Sequence, residues 1–315
     1  MISLEDYKRD TPLGEIEEFL ACTLCDETRQ QPLFRPRADN GKWEYRVVRC
    51  PGCGFMYRNP NVLPERLGDL YSGNYSKFLT GHYGSSRQRR YRLAMSSLGE
   101  IFQQGEGRRL LDFGCGAGLF LEVAEERGFE CYGVDLSPDS IDQAKQRLRT
   151  EHVHYGDPMD VPEIAAGNFD VITMWSVLAH LPRPIDDISK LRSLLKPDGV
   201  LVILTVNAAS MQIAINCDKW NGFTKNHLMF FSRETLPRLL SKAGFAGVGF
   251  TPHYSDDVEA GASPLSPREI ARLKRRIGST DGGNMMRAVG FATEAAMTRW
   301  GSQLPEMVSL DRYPR

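Results

Sequence analysis

The sequence predicts an α/β protein: a doubly wound, mostly parallel sheet with helices on both faces, preceded by a small metal-stapled module. Three observations predict it. From about residue 108 onward, short apolar runs alternate with amphipathic stretches, the pattern of strands and crossover helices. The stretch Arg108–Gly118, RRLLDFGCGAG, reads as a buried strand running through a glycine turn into a helix. Ahead of it, Cys22-x-x-Cys25 and Cys50-x-x-Cys53 have the spacing of two metal knuckles.

The whole chain narrows the possibilities. Its 315 residues suit one α/β domain plus an accessory module. The 39 basic and 40 acidic side chains leave a net charge of −1, so nothing global points to nucleic acid or an anionic membrane. The start, MISLEDYKRD, has no apolar signal core, and the aliphatic run Val200–Leu204 is far too short to span a bilayer. We therefore expect a cytoplasmic protein. Four of the seven cysteines sit in close pairs and three are scattered, which is poor material for a secreted disulfide framework.

Taken in order, residues 1–60 read as a zinc ribbon. Two knuckles bring four thiolates, Cys22, Cys25, Cys50 and Cys53, to one tetrahedral ion, and closed four-cysteine sites are structural. Leu33–Arg35 and Glu44–Val48 are strand-like pieces around Asp39-Asn40-Gly41. Residues 61–107 form a helical bridge, with Leu67, Leu70 and Tyr71 on one face. The run Arg87–Arg92, with Tyr91 inside it, allows an RNA-contact reading or a solvated helix face leading into Leu93, Met95 and Leu98; the near-zero net charge favours the latter.

Residues 108–315 are the α/β domain. Asp112, Gly114, Gly116 and Gly118 form the turn, and Leu119–Ala124 the helix after it. G-x-G-x-x-G would need glycine at Leu119, which disfavours a nicotinamide enzyme. Phe129–Val134 is a second strand ending at Asp135 and Leu136. Ser137-Pro138 caps a helix with Ile141, Ala144 and Leu148 inward. His152–Tyr155 is a short third strand ending at Gly156-Asp157. His152 and His154 share a face but have no third ligand nearby in sequence, against a metal reading. Asn168–Trp175 is the fourth strand, followed by Ser176–Leu181 with His180. Pro184–Leu195 is an amphipathic helix, and Val200–Val206 a buried fifth strand. An insertion, residues 207–226, carries Trp220 and Phe223 ahead of His227. Phe245–Pro252 and Met285–Thr293 read as a closing antiparallel pair. Between them, residues 256–266 read as a flexible segment and Ser266-x-x-Glu269 as a capping box.

The motif Asp112-x-Gly-x-Gly-x-Gly118, with Asp135 and Asp157 at later strand ends, resembles class I S-adenosylmethionine-dependent methyltransferases carrying an N-terminal zinc ribbon. The resemblance covers about residues 61–295 and implies a Rossmann-like sheet of seven strands. It implies that Asp112, Gly114, Gly116, Gly118, Asp135, Leu136, Asp157, Trp175 and Tyr75 bind S-adenosyl-L-methionine. Asp135 would take the ribose hydroxyls and Asp157 the adenine amino group. Tyr71, Tyr75, His82 and Tyr83 would cover the cofactor. The segment Trp175–Pro182 resembles the family's Leu-Glu-His pattern with Ala179 in place of the glutamate, which argues against a catalytic metal. His180 and His227, each after a strand end, are the candidate bases. The expected partner is a small-molecule methyl acceptor (a sugar, lipid or natural-product intermediate). Oxygen, nitrogen and carbon stay open as the acceptor atom, and the sequence is silent on oligomeric state. The alternatives are a ribosomal-RNA methyltransferase and a cofactor-binding protein that has lost its chemistry.

Overall fold

The computed structural model describes residues 1–9, 14–15, 17–38, 43–71, 82–251 and 282–313. The amino-terminal part forms a small antiparallel sheet from β1 (Gln31–Phe34), β2 (Val47–Arg49) and β3 (Met56–Arg58). The expected Glu44–Val48 strand divides: Trp43–Glu44 pairs with Arg37–Ala38 in a separate hairpin, and β2 starts at Val47. Asn59 ties this module together. Its side chain accepts from Leu20 N–H at 3.0 Å and donates to Leu20 C=O at 2.9 Å and to Gln30 Oε1 at 2.7 Å.

The bridge opens with a short strand, Asn61–Val62, paired antiparallel with Glu17–Glu18, and is mostly helical after it in its described parts. A 3₁₀ segment at Pro64–Tyr71 precedes α1 (His82–Ser97) and a short helix at Glu100–Gln103. The main sheet then assembles from β4 (Arg109–Phe113), α2 (Leu119–Glu125), β5 (Glu130–Asp135), α3 (Pro138–Arg147), β6 (Val153–Tyr155), β7 (Phe169–Trp175), α4 (Pro184–Leu194) and β8 (Leu195–Val206). After β9 (Met229–Phe230) come α5 (Leu236–Lys242), β10 (Gly247–Thr251), β11 (Met285–Phe291), α6 (Glu294–Trp300) and β12 (Glu306–Ser309).

The strand order is β6-β5-β4-β7-β8-β11-β10-β12. The first five strands are parallel, and β11, β10 and β12 close the sheet antiparallel. The closing pair is where the sequence puts it. The sheet has eight strands and not seven, because β12 pairs beyond β10 at the edge. Alternation along each strand divides the core in two. Leu111, Ile172, Leu201 and Ile203 pack under α4 and α5, while Leu110, Val171, Val200 and Val202 pack under α1, α2 and α6. The order reverses between β4 and β7, and the carboxyl ends of strands at such a reversal frame a ligand crevice. No described helix is long and apolar enough to cross a membrane.

β9 does not join the main sheet. It pairs antiparallel with β3, so a strand just after the insertion completes the amino-terminal sheet. Trp220 and Phe223 are accordingly buried with Tyr45, Val47, Met56 and Phe230. They form the seam between the two modules and not the pocket wall that their position before His227 suggests.

Candidate active site at the carboxyl edge of the sheet

The glycine turn shapes the site. Gly114, Gly116 and Gly118 have φ of 77°, 52° and 76°, left-handed values that side chains resist. At Gly114 a Cβ would also lie 2.5 Å from a Val177 methyl. Gly114 and Cys115 donate their N–H groups to Val134 C=O at 2.8 and 3.0 Å, which folds the turn over the end of β5. Gly116 N–H donates to Asp135 Oδ2 at 2.8 Å, and Ser137 N–H donates to Oδ1 at 2.9 Å. Each carboxylate oxygen of Asp135 thus takes one fixed donor and keeps further acceptor capacity. Burial raises its pKa against the pull of those N–H groups.

A cavity of about 1360 Å³ opens over this turn, larger than the ~300–1,000 Å³ of an ordinary ligand pocket. Asp112, Gly114, Gly116, Asp135, Leu136, Asp157, Trp175 and His180 all line it. Gly118 does not; it is the left-handed cap from which α2 starts. Tyr75 lies outside the described residues, and so do the side chains of Tyr71, His82 and Tyr83.

Asp112 sits beneath the turn and accepts from Thr173 Oγ1 at 2.6 Å. Burial, with Asp135 adding repulsion, pushes its pKa up to about 8. Asp157 accepts from Lys190 Nζ at 2.7 Å and Met159 N–H at 2.8 Å. Burial opposes these contacts but loses to them, so Asp157 stays below the usual carboxylate range. Trp175 packs 4.9 Å from Phe120 and 5.4 Å from Tyr91, ring to ring, and its buried Nε1–H has no hydrogen-bond partner among the described residues. A buried donor without a partner in a cavity wall suits a ligand acceptor. Ser176 follows with φ 62°, a left-handed turn that swings the chain from β7 toward His180.

His227 takes a different place from the one its sequence position suggests. It is absent from the cavity wall; its ring stands 4.9 Å from that of His180, and its Nδ1 donates to Gly222 C=O at 2.6 Å. Burial and the neighbouring His227 hold His180 well below the ordinary imidazole value. The ribbon supports this pair from behind. Arg58 donates to Lys225 C=O at 3.2 Å, Arg58 N–H donates to Leu228 C=O at 2.8 Å, and Leu228 N–H donates to Ala179 C=O at 2.7 Å.

Residues the sequence did not single out also line the cavity, including Arg183, Lys190 and Arg287. Arg287 had a readable signal, one charge inside the otherwise apolar strand MMRAVGF. The run Arg87–Arg92 forms no continuous basic stripe. Arg87, Arg90 and Tyr91 line the cavity, while Arg92 pairs with Glu126. His152 and His154 both bond Glu163, at 2.9 and 2.6 Å, and among the described residues only the cysteines form a metal-competent cluster.

In that cluster the sulfurs of Cys22, Cys25, Cys50 and Cys53 lie within 4.8 Å of one another. Cys22–Cys53 and Cys25–Cys50 are 3.5 and 3.4 Å apart, close to the ~3.8 Å sulfur separation that tetrahedral bonds of about 2.3 Å give. Gly52 lies against the cluster: a Cβ there would touch Cys25 and Cys50 sulfurs at 3.4 and 3.6 Å. The residues fit a four-thiolate zinc ion.

A family described as a methyltransferase domain matches residues 83–248, more than half of the chain. The chain belongs to this methyltransferase family. It is 33% identical over 109 residues to the ubiquinone biosynthesis O-methyltransferase of Haemophilus ducreyi, covering 32% of this chain and 46% of that protein. It is 31% identical over 173 residues to the Xanthomonas campestris protein of the same name, covering 54% and 61%. The chain thus spans roughly half the length of these curated relatives. In fold it is similar to a chain from the complex of the Haloferax volcanii Trm112 methyltransferase activator with a methyltransferase. That match has TM-score 0.52 at 17% identity, over 70% of this chain and 98% of the other.

The buried Asp112 makes the stability of the unliganded protein depend on pH. Its folded pKa of about 8 lies above the value of about 3.9 in an unfolded chain, so its contribution is complete below pH 4 and lost as pH rises toward 8. Urea unfolding of wild type and Asp112→Asn from pH 5 to 8.5 should show wild type losing stability relative to the variant. Parallel curves would place the Asp112 pKa in the ordinary range.

Proposed function

We propose that the protein is an S-adenosylmethionine-dependent methyltransferase that methylates a hydroxyl of a small-molecule acceptor. The observation that carries this reading is the Asp135 carboxylate, clamped by Gly116 and Ser137 N–H groups in a cavity large enough for two molecules. The names of the relatives support oxygen as the acceptor atom. Four of the seven cysteines suit a zinc ion and none is paired in a disulfide, which supports a reducing, cytoplasmic setting.

Bound S-adenosylmethionine supplies a methyl group already activated on a sulfonium. The chain's own residues bind and orient. Asp135 accepts from the two ribose hydroxyls, Asp157 accepts from the adenine amino group, and Leu136 offers an apolar edge beside them. Asp112, its pKa raised to about 8 by burial, ties β4 to β7 through Thr173 beneath the turn. Trp175 and Tyr91 exclude water, and placement of this kind lowers a barrier by about 7–11 kcal/mol in favourable cases. His180, neutral because burial and His227 depress its pKa, takes the acceptor's hydroxyl proton on a ring nitrogen. His227 is a positioning residue, oriented by Gly222 C=O against the His180 ring. The four cysteines hold one zinc ion that fixes the ribbon and takes no part in the chemistry.

Three measurements test this reading. In titration calorimetry wild type should bind S-adenosylmethionine, and Asp135→Ala should weaken binding more than any single histidine change. Two charge-assisted hydrogen bonds at about 1.5–3 kcal/mol each set the scale. Unchanged affinity in Asp135→Ala would remove the ribose assignment.

Once an acceptor is in hand, the acidic limb of the kcat–pH profile should fall well below the usual histidine value of about 6.5. Removing a neighbour that lowers the His180 pKa raises it, so His227→Asn should move the limb to higher pH. Near-normal turnover in His180→Gln would leave placement without a base as the mechanism.

Elemental analysis should find one zinc per chain, lost on Cys50→Ser. Protein purified without chelator and free of zinc would refute the ribbon's metal.

A further inference from the structure

The amino-terminal module adds nothing to the cavity wall: no described residue before Pro64 lines it. It does reach the segment behind that wall, through one backbone rung and one side chain of the same residue. Arg58 ends β3, where pairing with Val47 on β2 fixes its place in the sheet. Its N–H donates to Leu228 C=O at 2.8 Å, the rung next to the pairs that join β3 to β9. Leu228 N–H in turn donates to Ala179 C=O at 2.7 Å. Leu228 is thus bonded to the ribbon on one side and to the neighbour of His180 on the other.

The guanidinium makes a second arm. One nitrogen donates to Lys225 C=O at 3.2 Å and another to the Glu17 carboxylate. Lys225 lies inside the turn that His227 N–H closes on Thr224 C=O at 3.1 Å, and from this turn the His227 ring stands against His180. Arg58 is only 2% exposed. Taking such an ion pair out of water costs about what the attraction returns, and apolar residues of similar volume often hold a fold as well. What they do not supply is a planar fork that spans two acceptors in fixed directions, here one on the ribbon and one on the insertion. The Tyr45 ring, 5.2 Å from the guanidinium, closes a further side.

We infer that Arg58 is a positioning residue for His180. Through Lys225 and Leu228 it fixes the segment that carries His227 and abuts Ala179, and so keeps the His180 ring between His227 and the cavity. For its catalytic meaning this rests on the reading of His180 as the base; the positioning itself is measured on the His180 ring. The strands packed on the Leu178–His180 turn are β8 and β9, and the ionisable group there that repels a charged His180 is His227. On the cavity side Asp112 and Arg183 share the wall with His180. The substitutions below leave all three in place.

The His180 ring signal is followed by NMR against pH in the full, zinc-loaded chain saturated with S-adenosylhomocysteine, and His180→Gln assigns it. Wild type should titrate well below the ordinary value of about 6.5. Where the protein unfolds first, that pH serves as the upper bound. Arg58→Lys keeps the charge, but an ammonium has no planar fork to span both acceptors. It should raise the His180 midpoint by at least about half a unit, because a released turn admits water. Glu17→Gln combined with Arg58→Met leaves no buried charge unpaired and should raise it as far. In both, zinc should stay at one per chain and S-adenosylhomocysteine affinity within about threefold, which separates a released turn from a lost fold. Arg37→Gln, which removes an exposed ribbon pair with Glu44, should leave the midpoint where it was. Should one Arg58 variant lose its zinc or its fold, the other decides. An unmoved midpoint in either folded variant, an equal shift in Arg37→Gln, a wild-type midpoint already near the ordinary value, or loss of the fold in both variants overturns the inference. Wild type that fails to bind S-adenosylhomocysteine overturns the methyltransferase reading instead, and the His180 titration is then read in the unliganded chain.

Discussion

The bond from Gly116 N–H to the Asp135 carboxylate joins the two strand ends on which the site is built. It exists because the chain leaving β4 takes three left-handed turns within five residues. Only a backbone without side chains passes under Val177 there and still aims its N–H groups at β5. The same turn starts α2, whose Phe120 supports Trp175, and covers the buried Asp112. One backbone path thus sets the positions of three groups drawn from three strands.

Much of this was legible in the sequence because it is local. The glycine turn, Asp135 at the end of the next strand and the paired cysteines each report a structure completed within a few residues. The strand alternation likewise gave the sheet, down to its antiparallel closing pair. What stayed hidden depends on pairings between distant segments. Trp220 and Phe223 look like pocket aromatics until β9 is seen to pair with β3, which buries them against Tyr45 and Met56. His227 follows a strand end in the sequence, yet that same pairing sets its ring beside His180 and outside the cavity wall. The edge strand β12, four residues with a partly exposed pattern, carries no periodicity strong enough to read.

The site divides its charge along the sheet. Carboxylates cluster at the strand ends around the glycine turn, held by backbone N–H groups, a threonine hydroxyl and a lysine. The closing antiparallel strands bring an arginine to the far side of the same cavity. The parallel strands deliver residues at a topological switch, the familiar origin of a cofactor site in such sheets. The antiparallel strands, with different register and direction, supply the other wall of the same cavity.

The pairing of β9 with β3 also constrains how the molecule is made. Met56 and Phe230 are partners about 170 residues apart. A ribosome completes the cysteine knuckles and the first three strands of that sheet long before it reaches the fourth. During that interval Val47 and Met56 lack the cover of Trp220, Phe223 and Phe230, and Phe55 lacks that of Phe231. Contacts of such long sequence separation form late and slowly. The amino-terminal sheet therefore stays one strand short until Met229–Phe230 is made, and a metal ion held early by the cysteines would keep its exposed strands in register while they wait.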